Sequence, residues 1–238
     1  MPLALTLFKC RVLVFESIGL ACFLFIASTA TNVHAQRSND FLFATDSSPY
    51  GTSYSKWTSL WWSWQISIPA DKHPNNGYSP EKCTINQQGP VWFLPDIPQG
   101  EEVRSCTIPA DKAILFPIES GECNYGTDIK APNEVDLRKC AMVGNEGAAV
   151  SASIDGRPVI NPAQYRVQSG FFDMTIPKDN FIQNNPGIWK TFVDGYWIFV
   201  KPLSLGRHTI EWRDSISSPV SSEYNHAKHI IYNIMVKP

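Results

Sequence analysis

Carboxylates, imidazoles, thiols and indoles are the side chains in this sequence that could carry chemistry, and each group has an informative spacing. Glu119 and Glu122, with Asp128 soon after, fall in a Gly-, Asn- and Ser-rich stretch that reads as a loop behind an apolar run. Two carboxylates flanking a cleft can act as acid and base in glycoside hydrolysis. Glu119 and Glu122 are therefore the catalytic candidates, and Asp128 is a binding candidate. The competing reading is solvated loop charge, or anions favoured near a helix N-terminus around residue 132. His226 and His229 lie three apart. On a helix they would share a face, whereas a regular strand sends them to opposite faces. As a metal pair they need a loop or bulge, and His73, from a long loop, is a binding candidate that could join them. His208 has the strand parity of Ile210 and Trp212 and reads as a core histidine with a satisfied ring nitrogen.

Six cysteines are present, of which Cys10 and Cys22 fall in the N-terminal export signal described below. The remaining four, Cys83, Cys106, Cys123 and Cys140, form an even set in an exported chain and imply two disulfides. Three connectivities exist; the sequential one, Cys83–Cys106 with Cys123–Cys140, closes the shortest loops and is the expectation. No Cys-x-x-Cys pair is present, which argues against a zinc site. Gly-x-Ser-x-Gly, His-Glu-x-x-His and a Gly-rich phosphate loop are missing too, which weakens an enzyme reading.

The eight tryptophans are the third feature. Trp57, Leu60, Trp61, Trp64 and Ile68 repeat at helical spacing and end at Pro69, with Ser53 or Ser55 available as a cap. That stripe reads as a helix burying its indoles. Trp62 lies off the stripe and is the indole candidate for a sugar-binding platform. Trp92, Trp197 and Trp212 sit in apolar or alternating runs and read as core.

The elements that must position these groups are mostly strands. Short runs at 91–94, 102–108, 113–118, 148–154, 196–201, 207–213 and 224–237 are apolar or alternate with period two. Residues 165–176 form a longer strand candidate, and 119–131 and 177–190 read as loops. Asp155-Gly156 is a strong hairpin signal, because both residues tolerate positive φ. Pro132 suits the first turn of a second helix carrying Leu137, Cys140 and Ala141 on one face. Seven to nine strands with two helices, and no strand–helix alternation, predict an all-β fold with minor α. The expected architecture is an antiparallel β-sandwich, immunoglobulin- or jelly-roll-like, with two inserted helices.

The N-terminus reads as a secretory signal: Lys9 and Arg11, an apolar run over 18–27, then Val33-His34-Ala35 with small residues at −3 and −1. The expected organisation is a signal peptide over 1–35, an N-terminal extension over 36–53, and one sandwich domain over 54–238. The alternative for the first segment is a retained anchor; its apolar run is short for a span of about 20 residues. Basic and acidic residues number 20 and 22, so no basic excess exists to neutralise nucleic-acid phosphates. Hydrophobic residues at 43% against 18% charged exclude wholesale disorder.

Several motifs together resemble a family of uncharacterised secreted microbial proteins. They are Trp57-x-x-x-Trp61-Trp62-x-Trp64, Gly89-Pro90-Val91-Trp92-Phe93-Leu94, Cys106-Thr107-Ile108-Pro109-Ala110, Phe116-Pro117-Ile118 and Asp194-Gly195-Tyr196-Trp197 through Lys201-Pro202-Leu203. The resemblance implies export and a single fold and assigns no catalytic residue. The segment 205–213 is also similar to the penultimate strand of immunoglobulin-like sandwiches, including periplasmic copper-binding domains of the CopC type. Those place a histidine at the mature N-terminus, where this chain would begin with Gln36.

The expectation is an exported, disulfide-stapled sandwich, secreted or in the cell envelope, that binds an extracellular ligand or protein. It has no resident cofactor, no nucleic-acid partner and no membrane span after cleavage. The alternatives are an extracellular hydrolase acting on glycans and a periplasmic-type copper-binding protein.

Overall fold

A computed structural model describes residues 38–126 and 131–238, so the expected signal peptide and Asp128 lie outside the described residues. Two five-stranded sheets face each other, and a helix covers the outer face of one of them. That helix, α1 (Tyr54–Ser67), starts where Ser53, in extended backbone, accepts a hydrogen bond from the Lys56 N–H at 3.2 Å. It ends before Pro69, and its Trp57, Trp61 and Trp64 stripe is buried as the spacing predicts.

The first sheet runs β1 (Val91–Phe93), β3 (Ala113–Asn124), β8 (Gly187–Val200), then β6 (Arg166–Gln168) and β7 (Phe172–Ile176), both of which pair with β8. Its partner runs β2 (Gly100–Pro109), β10 (His226–Lys237), β9 (Gly206–Ile216), β4 (Ala148–Ile154) and β5 (Arg157–Pro158). Pairing is antiparallel except at one edge of each sheet, where β1–β3 and β2–β10 are parallel. The fold is thus mostly β with minor α, the sandwich the sequence predicts.

The burial patterns follow from the layers. β3 and β8 are covered on one face by the second sheet, joined toward the Cys123 and Phe192 ends by the second helix, which carries Leu137 and Ala141, and on the other face by α1. Both therefore carry continuous buried runs, 113–119 in β3 and 191–200 in β8. The outer face of the second sheet is uncovered, and β2, β9 and β10 alternate buried with partly or fully exposed residues. Between the sheets, the Trp212 ring stacks on Phe116 at 4.4 Å and on Tyr232 at 5.4 Å.

Several boundaries differ from the sequence expectation. β3 does not stop at Ile118 but continues to Asn124, because β8 starts earlier than expected, at Gly187, and supplies a partner for the whole length. Glu119 and Glu122 are therefore strand residues, not loop residues. The long strand expected over 165–176 is broken into β6 and β7 around Ser169 and Gly170. Asp155 and Gly156 take positive φ in the β4–β5 turn, as the dipeptide predicts. The segment expected as an extension is packed into the domain: Leu42 is buried between the sheets, and Phe43 N–H donates to Phe199 O at 2.9 Å.

Both disulfides have the sequential pairing. Cys83–Cys106 ties a 3-10 turn, Pro80–Thr84, to β2. Cys123–Cys140 ties the end of β3 to α2 (Glu134–Val143). That helix starts one residue after Pro132's neighbour Asn133, whose side chain accepts from the Val135 and Asp136 N–H groups. No helix among the described residues is long and apolar enough to cross a membrane.

Candidate functional site

At one end of the sandwich, charged side chains stand where the strand pattern calls for apolar ones. On β9 the inward positions are Ile210, Trp212, Asp214 and Ile216; on β10 they are His226, Lys228, Ile230, Tyr232 and Ile234. Asp214 lies directly across from Lys228 in the ladder. Both side chains are almost sealed from water, Lys228 at 3% and Asp214 at 0% exposure. Glu119 reaches the same place from β3, and Asp96 from the loop after β1.

A buried ammonium needs charge compensation. The Lys228 Nζ lies 2.6 Å from Glu119 Oε2 and 3.5 Å from Asp214 Oδ1, and it donates to Asp96 Oδ2. The second cation is His226. Its Nε2 is 3.1 Å from Glu119 Oε2 and 3.2 Å from Asp214 Oδ2, while Nδ1 faces Tyr224 O at 2.9 Å. Trp212 Nε1 donates to the other Asp96 oxygen at 3.3 Å.

The titration behaviour follows from this lattice. Hydrogen bonds to Asp214 and Glu119 raise the His226 pKa to about 10, so both ring nitrogens carry protons at neutral pH. Burial pushes Glu119 up, but the Lys228 charge and hydrogen bonds from His226 and Lys228 outweigh it and hold the carboxyl below its ordinary value. Burial raises Asp96 to about 6 against the pull of Lys228. Burial works against charged Lys228, yet the three carboxylates more than compensate and keep it protonated.

Glu119, Asp214 and His226 place donor atoms within 4.8 Å of one another, which is a metal-like spacing. Lys228 is already a fixed cation against Glu119 and Asp214, and a doubly protonated imidazole has no lone pair to offer. The expected metal pair is divided as well. His226 points inward, while His229 points to the outer face, where its Nε2 meets Glu211 Oε1 at 2.9 Å.

The expected carboxylate pair is divided in the same way. Glu119 lies across from Tyr196, whose ring belongs to the core between the sheets, and Glu122 across from Val193, which packs under α1. The two leave β3 on opposite faces, so they do not flank one substrate space. Glu122 accepts from Asn124 Nδ2 at 2.7 Å, and burial raises its pKa to about 7. His73 is fully buried, stacked on Phe181 with ring centroids 3.7 Å apart, and accepts the Asn75 N–H at Nδ1. Burial, with Arg104 and Lys82 nearby, lowers its pKa to about 4 and keeps it neutral.

A pocket of about 170 Å³ opens beside the charge lattice, between α1 and the loops that follow β1 and β7. Trp61, Trp62 and Gln65 come from α1, Ile97 and Phe181 from the loops, and Glu119 and His226 from the two sheets. Three indoles of α1 donate to backbone carbonyls: Trp57 to Pro49, Trp61 to Leu94 and Trp64 to Ile85, each at 3.0 Å. Trp62 Nε1 is buried without an acceptor, and Gln65 Oε1 is buried without a donor. Trp92 and Trp197 also lack an acceptor, but neither borders this pocket.

Of the sequence candidates, then, Glu119, His226 and Trp62 converge on one pocket, His73 supports its wall from behind, and Glu122 and His229 lie elsewhere. Sequence reading missed Asp96, Asp214, Lys228 and Gln65. For Asp214 and Lys228 a signal existed, since each occupies an inward parity position of an alternating strand. Gln65 and Asp96 carried none.

The chain matches no protein-family model and no curated protein. Among solved structures, a chain in the structure of PbICP-C in complex with falcipain-2 is 15% identical, covering 63% of this chain and 100% of that one with a TM-score of 0.24. The cysteine protease inhibitor EhICP2 from Entamoeba histolytica is 11% identical over 58% of this chain and 95% of that one, with a TM-score of 0.22. Likenesses at these scores carry no argument about this chain.

Proposed function

We propose that the chain is an exported binding protein whose ligand site is the pocket between α1 and the charge lattice. One observation carries the reading: aromatic and apolar side chains (Trp61, Trp62, Ile97, Phe181) and the polar Gln65, Glu119 and His226, drawn from α1, two loops and both sheets, converge on one pocket of about 170 Å³. The lattice beneath suits a rigid floor better than a catalytic group. Glu119 is held ionised by two cations and so is a poor general acid, and His226 is held protonated and so is a poor base. Export is supported by the signal-like N-terminus and by two disulfides, which persist in oxidising compartments.

The test is thermal unfolding of the oxidised protein against a panel of small polar compounds. A ligand of the folded state at about 100 times its Kd adds about 2.7 kcal/mol and moves the midpoint visibly. The expected result is a shift that Trp62→Ala removes. A shift that survives this substitution unchanged would place the ligand at another site and refute the reading.

A further inference from the structure

We propose that the pocket beside α1 takes a small organic cation, whose ammonium sits on Glu119 Oε1 and whose apolar body lies against Trp61, Trp62 and Phe181. The inference rests on the reading of this pocket as the binding site and specifies the chemistry of its ligand.

Glu119 uses its two oxygens unequally. Lys228 Nζ and His226 Nε2 both lie on Oε2, at 2.6 and 3.1 Å. No described residue donates to Oε1, and that oxygen is not sealed from water, although Glu119 as a whole is 7% exposed. Glu119 lines the pocket, so a carboxylate oxygen without a partner opens into it. The neighbouring cations hold the carboxyl below its ordinary value, so it is charged at neutral pH. An ammonium gives such an oxygen a charge-assisted hydrogen bond, about twice as strong as a neutral one.

The sum of charges agrees. Asp96, Glu119 and Asp214 face Lys228 and His226, three carboxylates against two cations. One more cation brings the cluster to neutrality and displaces none of its members. A separate observation comes from α1. Gln65 is 3% exposed, its Oε1 is sealed, and its amide nitrogen, which no described residue pairs, is the open end of the amide. That nitrogen supplies a donor for one oxygen of the ligand. The walls supply the remaining contact. The Trp61 N–H is taken by Leu94 O at 3.0 Å and the Trp62 N–H is sealed, so the pocket meets indole carbon rather than indole N–H. Aromatic surface of this kind packs an apolar body and attracts a cation attached to it. At about 170 Å³ the space is smaller than the roughly 300–1,000 Å³ of drug-sized sites, and it suits one ring with a short arm.

Such an ammonium could belong to a free amine or to the amino terminus of a peptide, and the experiment separates them. The oxidised protein is titrated calorimetrically with phenethylamine, phenethyl alcohol and phenylacetate, which share one body and differ in charge. Phenylalaninamide and a short peptide beginning with phenylalanine distinguish the two sources. The expected result is saturable binding of phenethylamine, about tenfold or more tighter than the alcohol and the acid, and loss of that preference in Glu119→Gln. Trp62→Ala should weaken every probe that binds. Gln65→Leu should weaken phenylalaninamide, which carries an oxygen, about fivefold more than phenethylamine, which has none. The charge series is read on the parent protein, so it decides the question even where Glu119→Gln fails to fold. Tighter binding of the peptide than of the amide assigns the amino terminus; equal or weaker binding assigns the free amine. Alcohol or acid binding as tightly as the amine, lost in Trp62→Ala, would overturn the cation class and leave the pocket as the site. Amine binding that Trp62→Ala leaves unchanged would overturn both. No saturable binding of either amine would overturn the cation class.

Discussion

Lys228 shows how a single residue can fix the character of a site. Its ammonium lies among the carboxylates of Asp96, Glu119 and Asp214 and is compensated on several sides. Breaking a buried ion cluster by removing one partner leaves uncompensated charge and costs about 3–5 kcal/mol. Lys228→Met should therefore destabilise the protein by about that amount in urea titrations at neutral pH. A loss under about 1 kcal/mol would show that the lattice is not a coupled unit. Glu122 gives a pH signature instead. Its folded pKa is raised to about 7 from 4.5 by burial, so the folded state holds its proton longer than the unfolded chain. That contribution is fully present below about pH 4.5, declines as pH rises, and is lost above pH 7. Glu122→Gln should thus match the parent at pH 4 and exceed it at pH 8 by on the order of 3 kcal/mol, measured by urea unfolding at both pH values.

At the scale of elements, the irregularity in β3 is what delivers Glu119 to the site. The register with β8 shifts between Pro117 and Glu119, so Ile118 and Glu119 both reach the space between the sheets instead of alternating. The partner strand accommodates this at Gly195. A Cβ there would stand 2.5 Å from Glu119 O and 2.6 Å from the Ser120 Cβ, which no small adjustment relieves, since one neighbour is backbone. Gly195→Ala should lower stability by about 2–3 kcal/mol and also weaken ligand binding at the pocket, because it moves the backbone that carries Glu119. The helix side is more forgiving: Ser53→Ala removes only the cap of α1 and should cost about 1 kcal/mol in thermal or urea unfolding. A Gly195→Ala variant as stable as Ser53→Ala would contradict the role given to the bulge. The alternation of β2, β9 and β10 was readable from sequence, as was the Trp stripe of α1, because each element buries a single face. The extent of β3 and β8 was not, because a strand covered on both faces gives no alternation and its polar ends resemble loops.

For the whole molecule, the disulfides and the layered core do different work. The cross-links close 23- and 17-residue stretches and hold the loop wall and α2 onto the sheets. Loss of either should cost about 3 kcal/mol in the chain-entropy model, read as a lower urea midpoint after Cys→Ser replacement of both partners. Removing Cys83–Cys106 should also loosen the 70–98 region that carries Asn75 and Asp96 and so weaken ligand affinity. Removing Cys123–Cys140 should leave affinity nearly unchanged, because α2 does not border the pocket.

The amino-acid sequence by itself determined the class of fold, the Trp-bearing helix and the Asp-Gly hairpin, and it made the sequential cysteine pairing the expectation among three connectivities. These depend on short-range periodicity, turn stereochemistry and loop length, all of which are local. Only the tertiary structure decided which side chains meet. Trp62 and Gln65, Asp96, Glu119, Asp214, and His226 with Lys228 come from five separate stretches of chain, brought to one end of the sandwich by sheet order and by one strand irregularity. Strand parity placed Glu122 and His229 on the faces opposite their intended partners, because residues three apart in a regular strand point in opposite directions.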